Sequence, residues 1–461
     1  MSDDGLASAR AVMSAAGVPA RAIAVFEQFY RDLESGKTGL VHEADVEPLG
    51  DLPQLDDVRL TDTEMAAALD VTAVIKLNGG LGTSMGMDRA KSLLPVRASD
   101  TFLDVIVQQV LSLRDRYSSR LPLVFMNSFR TQGDTLVALA SYPDLAVPGL
   151  PLDFLQNREP KLRADDLTPV SWPADPSLEW CPPGHGDLYT ALQTSGLLDT
   201  LLEQGFHYAS VSNSDNLGAA PDPRMAGWFA ASGAPYAAEM CRRNAADVKG
   251  GYLVVRKSDR RLVLRETAQT PKEDAGAAND INRHRYFHTN NLWMDLRVLA
   301  ATLEQRDGVL GLPLIRNEKT VDPSDPDSTP VVQLESAMGA AVEVFDGATA
   351  VEVPRTRFLP VKTTNDLLLV RSDVYQLDEQ AHLLPQVSAA PMVDLDPRFY
   401  KLVNGFNARF PAGPPSLIGA ESLTVRGDWT FGRDVVVTGA ASLTDHGVAT
   451  VADGTTLTGR A

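Results

Sequence analysis

Apolar and polar positions alternate along the chain in a way that predicts an α/β fold. Residues 71–75 are a short β-branched run, typical of a buried strand, and residues 121–126 form a second apolar run. Between them, Thr101 can cap a helix whose apolar face comprises Leu103, Ile106, Val107, Val110 and Leu111. Because strand, helix and strand in succession usually build a parallel pair, we expect a sheet with helices packed against it.

Four later segments are also predicted as strands, at residues 208–212, 236–242, 251–256 and 262–267. We expect them to extend the first two strands into one mixed sheet that continues to about residue 385. Polar residues 213–218 follow the first of these segments, and open α/β sheets bind ligands beyond the carboxyl ends of their strands.

The N-terminal part has a helical pattern. After Pro19, apolar residues repeat at helical spacing, namely Ile23, Phe26, Phe29, Tyr30 and Leu33. This stripe predicts core packing rather than a groove for a partner. Residues 43–66 are acidic and irregular, and we expect them to form a surface connection into the first strand.

The C-terminal part has a six-residue period instead. It appears in Val425, Phe431, Val437 and Leu443, and again two positions ahead in Leu423, Trp429 and Val435. A short apolar period with frequent glycines predicts a small parallel β-helix, in which each side chain stacks on its counterpart one strand later. The pattern therefore divides the chain into residues 1–70, a catalytic or binding core at 71–385, and a β-helix at 386–461.

Composition narrows the class of function. The 461 residues carry a net charge of −18, which argues against duplex nucleic acid or an anionic membrane surface as partner. The acidic N-terminus does not resemble a signal peptide, and no apolar run approaches the ~18 residues of a membrane span. We expect a cytoplasmic enzyme or binding protein, and a β-helix of this size could mediate self-association.

The loop after the first strand has the composition of a phosphate-binding loop. Residues 76–92 contain four glycines and end in Lys91 followed by serine. Backbone N–H groups of such a loop can surround an anion, and a lysine adds a full positive charge. The Walker spacing is absent, and Met85 replaces the third glycine of the dinucleotide fingerprint, so Asp100 is not expected to bind a ribose.

Other polar clusters follow, often next to glycine, at residues 182–189, 213–216, 250–251, 266 and 287–291. Residues 354–364 carry three positive charges, Arg355, Arg357 and Lys362, in an otherwise acidic chain. On charge alone, salt bridges to local carboxylates explain these cations slightly better than a polyphosphate does.

Taken together, these clusters resemble the eukaryotic type of the UTP–glucose-1-phosphate uridylyltransferase (UDP-glucose pyrophosphorylase) family. The matching strings cover about residues 71–375 and are KLNGGLGTSMG…KS, MNSF, PPGHGDLY, SNSDNLGA, FHTNNLW and VPRTRFLPVKTTNDLLLV. The resemblance implies a Rossmann-like nucleotidyltransferase core with an N-terminal helical segment and a C-terminal β-helix. It also implies conversion of UTP and glucose 1-phosphate to UDP-glucose and pyrophosphate, with Mg²⁺.

The resemblance assigns roles to single residues. For UTP these are the backbone of Leu77, Asn78, Gly79 and Gly80, with Lys91 on the triphosphate, Gln156 on the uracil edge and Gly184 beside the base. Asp215 is the expected Mg²⁺ ligand and contacts both substrates, although an Asp there could simply cap the next turn. Lys362 is the expected essential residue, acting with Lys91. The implied hexose contacts are His185, Asn213, Gly251, Glu266 and Asn290.

Some positions depart from the family pattern. Residues 87–90 read Met-Asp-Arg-Ala instead of Cys-x-Gly-Pro, and His288 replaces an asparagine next to the implied sugar contacts. Glucose specificity is therefore open, and a broad UDP-sugar or UDP-N-acetylhexosamine pyrophosphorylase is an alternative. An inactive regulator that binds nucleotide sugars is an alternative of another class, and a dehydrogenase is a third.

Overall fold

The computed structural model describes residues 3–37, 39–97, 99–244, 247 and 250–460. Its centre is a seven-stranded sheet. In chain order the strands are β1 (Thr72–Asn78), β2 (Leu123–Asn127), β3 (Asp153–Leu155), β4 (Tyr208–Asn213), β5 (Tyr236–Arg242), β6 (Tyr286–Asp295) and β7 (Thr349–Glu352). They lie in the order β7-β5-β6-β4-β1-β2-β3. β6 is antiparallel to both neighbours and the other pairs are parallel, so a mixed sheet is confirmed. Its last strand ends at Glu352, however, and not near residue 385 as predicted.

Successive residues of β1 face two different apolar cores, because side chains alternate along a strand. Val74 packs in the core of one face, whereas Ala73 and Ile75 pack in the core of the other. Every one of these three side chains is buried. A strand buried on both faces reads as a continuous apolar run, which is why residues 71–75 could be recognised.

Helices cover both faces of the sheet. Within the described residues they are Asp3–Ala15, Ala20–Glu34, Asp62–Asp70, Phe102–Tyr117, Gln132–Leu139, Leu188–Thr194, Leu197–Glu203, Pro223–Ser232, Ala275–Ala278, Leu296–Gln305, Thr364–Arg371, Pro397–Tyr400 and Val403–Arg409. None of these helices is both long and apolar enough to cross a membrane. The cap predicted at Thr101 is present: its hydroxyl accepts the N–H of Asp104, whose carboxylate accepts the N–H of Thr101.

Two predictions were wrong, one about residues 43–66 and one about the strands at 251–267. Residues 43–66 are not merely a surface connection, since they contain the strand Val46–Pro48 and the buried Leu55. That strand pairs with Tyr252–Arg256, which in turn pairs with Leu262–Arg265. The two predicted strands at 251–267 therefore exist, but they form a separate three-stranded sheet instead of extending the central one.

Smaller sheets complete the core region. They are Ile315–Thr320 with Pro330–Glu335 and Leu162–Arg163; Tyr375–Leu377 with Leu383–Pro385; Pro95–Arg97 with Asp100–Thr101; and Glu159–Pro160 with Trp180–Cys181.

The C-terminal strands form parallel coils. One sheet contains Met392–Leu395, Ala420–Val425, Val436–Leu443 and Thr456–Arg460, and a second contains Asp428–Phe431 and Val448–Val451. Val425, Phe431, Val437 and Leu443 are all buried, as the six-residue period predicted.

The stacking distance was predicted incorrectly. Val425 pairs with Leu443, 18 residues further on, and Phe431 pairs with Val451. The six-residue period therefore marks successive faces of one coil, and a side chain stacks on the next coil rather than on the next strand.

The boundaries at residues 71 and 386 stay predictions. One apolar core runs without interruption from Val74 and Phe125 in the central sheet to Leu423 and Val437 in the coils. A continuous core means that the two parts support each other across the predicted boundary.

Candidate active site

A cavity of about 410 Å³ opens at the carboxyl ends of β1 and β4. Parallel neighbouring strands end at the same edge of a sheet, so the side chains that directly follow β1 and β4 lie close together there. Most of the predicted site residues line it, namely Leu77, Gly79, Gly80, Lys91, Gln156, Gly184, His185, Asn213, Asp215, Asn290 and Lys362. Segments far apart in sequence thus meet in one place.

The glycine loop and the predicted base-reading residue are in close contact. A Cβ atom on Gly79 would lie 3.0 Å from both polar atoms of the Gln156 amide, so a side chain at residue 79 would displace that amide. Gly184 has a φ of +77°, and a Cβ there would lie 2.7 Å from the carbonyl oxygen of Ser336. Gly184 is therefore required by space and by its positive φ, whereas a side chain at residue 79 would require Gln156 to move, and both glycines line the cavity.

Asn78 has a different place from the rest of the loop. Its buried side-chain amide donates to Asn127 Oδ1 at 2.8 Å and to Thr135 Oγ1 at 2.9 Å, and its oxygen accepts from Ser214 Oγ at 3.1 Å. The side chain therefore ties β1 to the end of β2, to the helix Gln132–Leu139 and to the residue after β4, and it is not among the residues that line the cavity.

Lys91, Asp215 and Lys362 form a three-membered charge cluster. Lys91 Nζ lies 2.8 Å from Asp215 Oδ2, and Lys362 Nζ lies 3.0 Å from the same oxygen. Lys91 Nζ also donates to the carbonyl of Val361, directly before Lys362. Burial by itself raises the pKa of Asp215, but the nearby ammonium groups of Lys362 and Lys91 outweigh it and hold that pKa below its ordinary value.

The cations of residues 354–364 have separate partners. Arg355 pairs with Asp247 at 2.5 Å, Arg357 pairs with Glu239 at 2.6 Å, and Lys362 reaches Asp215. Local carboxylates thus account for both arginines. Lys362 differs because its side chain is 58% exposed and faces the cavity.

Glu239 and Asn216 hold the Lys362 segment in place, and sequence reasoning missed both. The fully buried Glu239 carboxylate accepts from Arg357 through two nitrogens and also from Trp293 Nε1 and Asn291 Nδ2. Asn216 accepts the N–H of Leu359 at 2.8 Å and donates to the carbonyl of Arg357. A glutamate inside the apolar run 236–241 was the available signal.

The predicted sugar contacts fall into two groups. His185, Asn213 and Asn290 line the cavity. Gly251 and Glu266 do not line it, but lie against each other, because a Cβ on Gly251 would be 2.6 Å from Glu266 Oε1. Burial raises the pKa of Glu266 above its ordinary value. The roles of these five residues stay predictions.

His185 has a defined protonation state. Its Nδ1 accepts the backbone N–H of Met338 at 2.9 Å, so the ring proton is on Nε2. Burial and the charge of Lys362 lower its pKa to about 4. The ring is therefore a neutral hydrogen-bond donor at neutral pH.

Asp187 is a third residue to which sequence reasoning gave no role. It follows His185 by two positions, and its carboxylate accepts the N–H of Asn157 at 2.6 Å and the Asn157 side-chain amide at 2.8 Å. Because Asn157 follows Gln156 directly, this pair joins two segments that line the cavity, those of Gln156 and His185. Burial raises the pKa of Asp187 to about 7.

This pKa predicts a pH-dependent stability. Between pH 4 and 7 the folded chain keeps a proton on Asp187 that the unfolded chain has released, so this contribution to stability is lost as pH rises through about 7. Asp187→Asn cannot ionise and lacks the effect. From pH 5 to pH 7.5, urea unfolding should show the wild type losing about 2 kcal/mol relative to this variant. Asp199→Asn, at an exposed carboxylate, is the control, and parallel pH curves for wild type and Asp187→Asn would contradict the interpretation.

Comparisons with known proteins show the family of the chain. The chain matches the sequence profile described as UTP–glucose-1-phosphate uridylyltransferase over residues 23–438. It is 42% identical to the Saccharomyces cerevisiae enzyme of that name over 379 residues, covering 82% of this chain and 74% of the yeast chain. It is 40% identical to the Hordeum vulgare enzyme of that name, covering 82% and 78% of the two chains.

Solved structures give the same result for the fold. A UDP-glucose phosphorylase from Trypanosoma brucei superposes with a TM-score of 0.90 at 42% identity, covering 98% of each chain. A Leishmania major UDP-glucose pyrophosphorylase mutant in complex with UDP-glucose gives a TM-score of 0.91 at 39% identity, covering 100% of this chain and 99% of that one. The nucleotidyltransferase fold and the sequence match together establish that the chain belongs to the UTP–glucose-1-phosphate uridylyltransferase family.

Proposed function

We propose that this chain converts UTP and glucose 1-phosphate to UDP-glucose and pyrophosphate. The observation that carries the proposal is the cluster of Lys91 and Lys362 on Asp215, beside a glycine loop in one cavity. Two cations there can bind phosphates from two substrates at once. The relatives' names, and the UDP-glucose complex of the Leishmania major enzyme, support the same reaction.

The proposed reaction needs no covalent intermediate with the protein. A phosphate oxygen of glucose 1-phosphate attacks the α-phosphorus of UTP, a new P–O bond forms, and the bond to the leaving pyrophosphate breaks on the opposite side. Two phosphates approaching within about 4 Å repel each other by roughly 4 kcal/mol per pair of charges at an effective dielectric of 20. Lys362 and Lys91 would offset this repulsion and hold the groups in line.

We assign recognition of the base to the part of the cavity that Gly79, Gln156 and Gly184 line. The Gln156 amide there offers both a donor and an acceptor, which matches the imide edge of uracil. Its backbone N–H donates to the carbonyl of Asn127 at 2.8 Å, so the residue is held firmly against β2. Asp187 supports the same segment through Asn157.

Asp215 is the proposed ligand of Mg²⁺. The described residues contain no cluster of three or more His, Cys, Asp or Glu side chains that could hold a metal alone. Mg²⁺ commonly binds through one carboxylate together with substrate phosphates and water, so a single Asp215 fits this donor set. When bound, the ion would neutralise phosphate charge, while Asp215 would position it beside the two lysines.

A broad UDP-sugar or UDP-N-acetylhexosamine pyrophosphorylase is the second candidate function. The observation that favours it is His288, which departs from the family pattern and accepts the backbone N–H of Asn290, a residue that lines the cavity. An inactive binder of nucleotide sugars is less well supported, because pure binding has no evident need for both lysines and Asp215.

We further propose that the protein is cytoplasmic and self-associates through its C-terminal coils. Apolar side chains exposed there include Met392, Ile418 and Val448, the last with 86% of its surface accessible. Burying such side chains between copies would remove apolar surface from water. Sedimentation velocity over a concentration series should show a species heavier than one chain, and a constant monomer mass would contradict the proposal.

Pyrophosphate release tests the proposed reaction directly. With glucose 1-phosphate and Mg²⁺, we expect UTP to support turnover and CTP and ATP to support little, because Gln156 matches the imide edge of uracil. Thymine has the same edge, so dTTP tests recognition of the ribose and of the C5 position. Removal of Mg²⁺ with EDTA should abolish the signal, and added Mg²⁺ should restore it.

Galactose, xylose and N-acetylglucosamine 1-phosphates complete the panel. Equal turnover on all of them would favour the broad-specificity enzyme, and binding of UDP-glucose without turnover would favour the inactive regulator.

Lys362→Ala tests the role of the exposed cation. Removing a charge that acts on the transition state should lower kcat by at least about 100-fold, whereas thermal stability should change little because the side chain is largely exposed. Lys362→Arg keeps the charge and should recover part of the activity. Lys37→Ala, at an exposed lysine 2.6 Å from Asp32, is the matched control. Wild-type rates of pyrophosphate release in Lys362→Ala would remove this residue from the mechanism.

A further inference from the structure

β6 carries a large bulge where Asn290, one of the predicted sugar contacts, lines the cavity. On the partner strand β5, Ala238 pairs with Leu292 and Met240 pairs with His288. Residues 289–291 of β6 therefore stand opposite the single residue Glu239. Bulges next to active sites redirect side chains, and this one places Asn290 in the cavity wall.

The apex of the bulge adopts an unusual backbone conformation. Asn290 has a φ of +59°, in the left-handed region, which a non-glycine residue enters at some cost. One side of the bulge is fixed through Thr289, whose hydroxyl donates to the carbonyl of Glu239 at 2.7 Å. The following amide is also fixed, because Asn291 N–H donates to Thr289 Oγ1 at 3.2 Å.

His288 supplies the acceptor for the apex itself. Its Nδ1 accepts the backbone N–H of Asn290 at 3.1 Å, and the side-chain Oδ1 of Asn290 lies 3.1 Å from the same nitrogen. Since an N–H already points at Nδ1, the ring proton is on Nε2, and Nδ1 and Oδ1 would face each other as two acceptors. Turning the Asn290 amide over resolves this conflict, because Nδ2 then donates to Nδ1. The Asn290 oxygen is then left to accept a hydroxyl from a ligand.

The surroundings of His288 keep the ring in this state. The side chain is 2% exposed, and space for the imidazole exists because residue 339 is glycine, where a Cβ would lie 3.0 Å from Cε1. Burial, together with a smaller effect of the neighbouring His185, lowers the pKa of His288 to about 4. Within the described residues Nε2 has no hydrogen-bond partner, so the hydrogen bonds of the ring are made through Nδ1.

We propose that His288 is a positioning residue for the sugar phosphate: its Nδ1 holds the Asn290 bulge so that the Asn290 amide oxygen faces the hexose. The inference rests on the proposed function. It also explains how the chain tolerates its departure from the family asparagine, because asparagine carries Oδ1 on Cγ where histidine carries Nδ1. Both side chains offer an acceptor at the same distance from the backbone.

The test uses three substitutions in the full chain. His288→Asn keeps the acceptor at the δ position, His288→Leu removes it, and His288→Gln moves the polar group to the ε position. We expect His288→Leu and His288→Gln to raise KM for glucose 1-phosphate about tenfold, the effect of one lost hydrogen bond, with KM for UTP changed less than about twofold. His288→Asn should stay within about threefold of wild type for both substrates.

Binding measurements separate positioning from general damage. Calorimetric titration should show weaker UDP-glucose binding to His288→Leu, with UTP binding unchanged, and His446→Leu, at an exposed histidine of the coils, should behave as wild type. If the leucine variant does not fold, the glutamine variant decides. An unchanged KM for glucose 1-phosphate, or equal losses for UTP and the sugar phosphate, would overturn the proposal. Lack of turnover by the wild type would instead reject the proposed function, because the variants are judged against it.

Discussion

The carboxylate of Asp215, held between two ammonium groups, is the interaction on which the site depends. It joins Lys91, from the glycine loop, to Lys362, from a segment 271 residues later in the chain. Two lysines this close would repel each other, by a few kcal/mol at the effective dielectric of a partly buried site. With Asp215 between them, the repulsion becomes attraction, and the cations are gathered before any phosphate arrives. The two cations are thus brought together when the chain folds, so phosphate binding does not have to overcome much of their mutual repulsion.

That cluster rests on a buried polar support. Glu239 on β5 accepts hydrogen bonds from Arg357, Asn291 and Trp293 in a region without exposure to water. A buried ion pair of this kind contributes little net stability, since desolvation opposes the Coulomb attraction, but it strongly disfavours other arrangements. Here it fixes the segment that ends in Lys362 against the segment that begins at Asp215. The geometry of the charges follows from the geometry of the sheet.

Local signals in the sequence were enough for some features and not for others. The cap at Thr101, the buried run at 71–75 and the burial of Phe431 depend on neighbouring residues, and all were predicted. The pairing of Val46–Pro48 with a distant hairpin is a non-local contact that no local pattern contains. The same reason explains why Asp187 and Glu239 were missed: an acid in an apolar segment signals a partner, but the identity of that partner depends on the fold. Conversely, Lys91, Asp215 and Lys362 were found because the order of several motifs was recognisable together.

The two lysines have unequal freedom, and this difference suggests a division of their roles. Lys91 is 14% exposed, its Nζ contacts both Asp215 and the carbonyl of Val361, and its N–H donates to the carbonyl of Gly80. Lys362 is 58% exposed and reaches Asp215 from the open side of the cavity. A lysine whose ammonium group has two fixed partners and whose backbone is also held can fix a phosphate but cannot follow it, whereas an exposed lysine keeps rotamers that let its charge move with a ligand. Lys91 is therefore suited to binding the triphosphate, and Lys362 to following the charge that develops as one P–O bond replaces another.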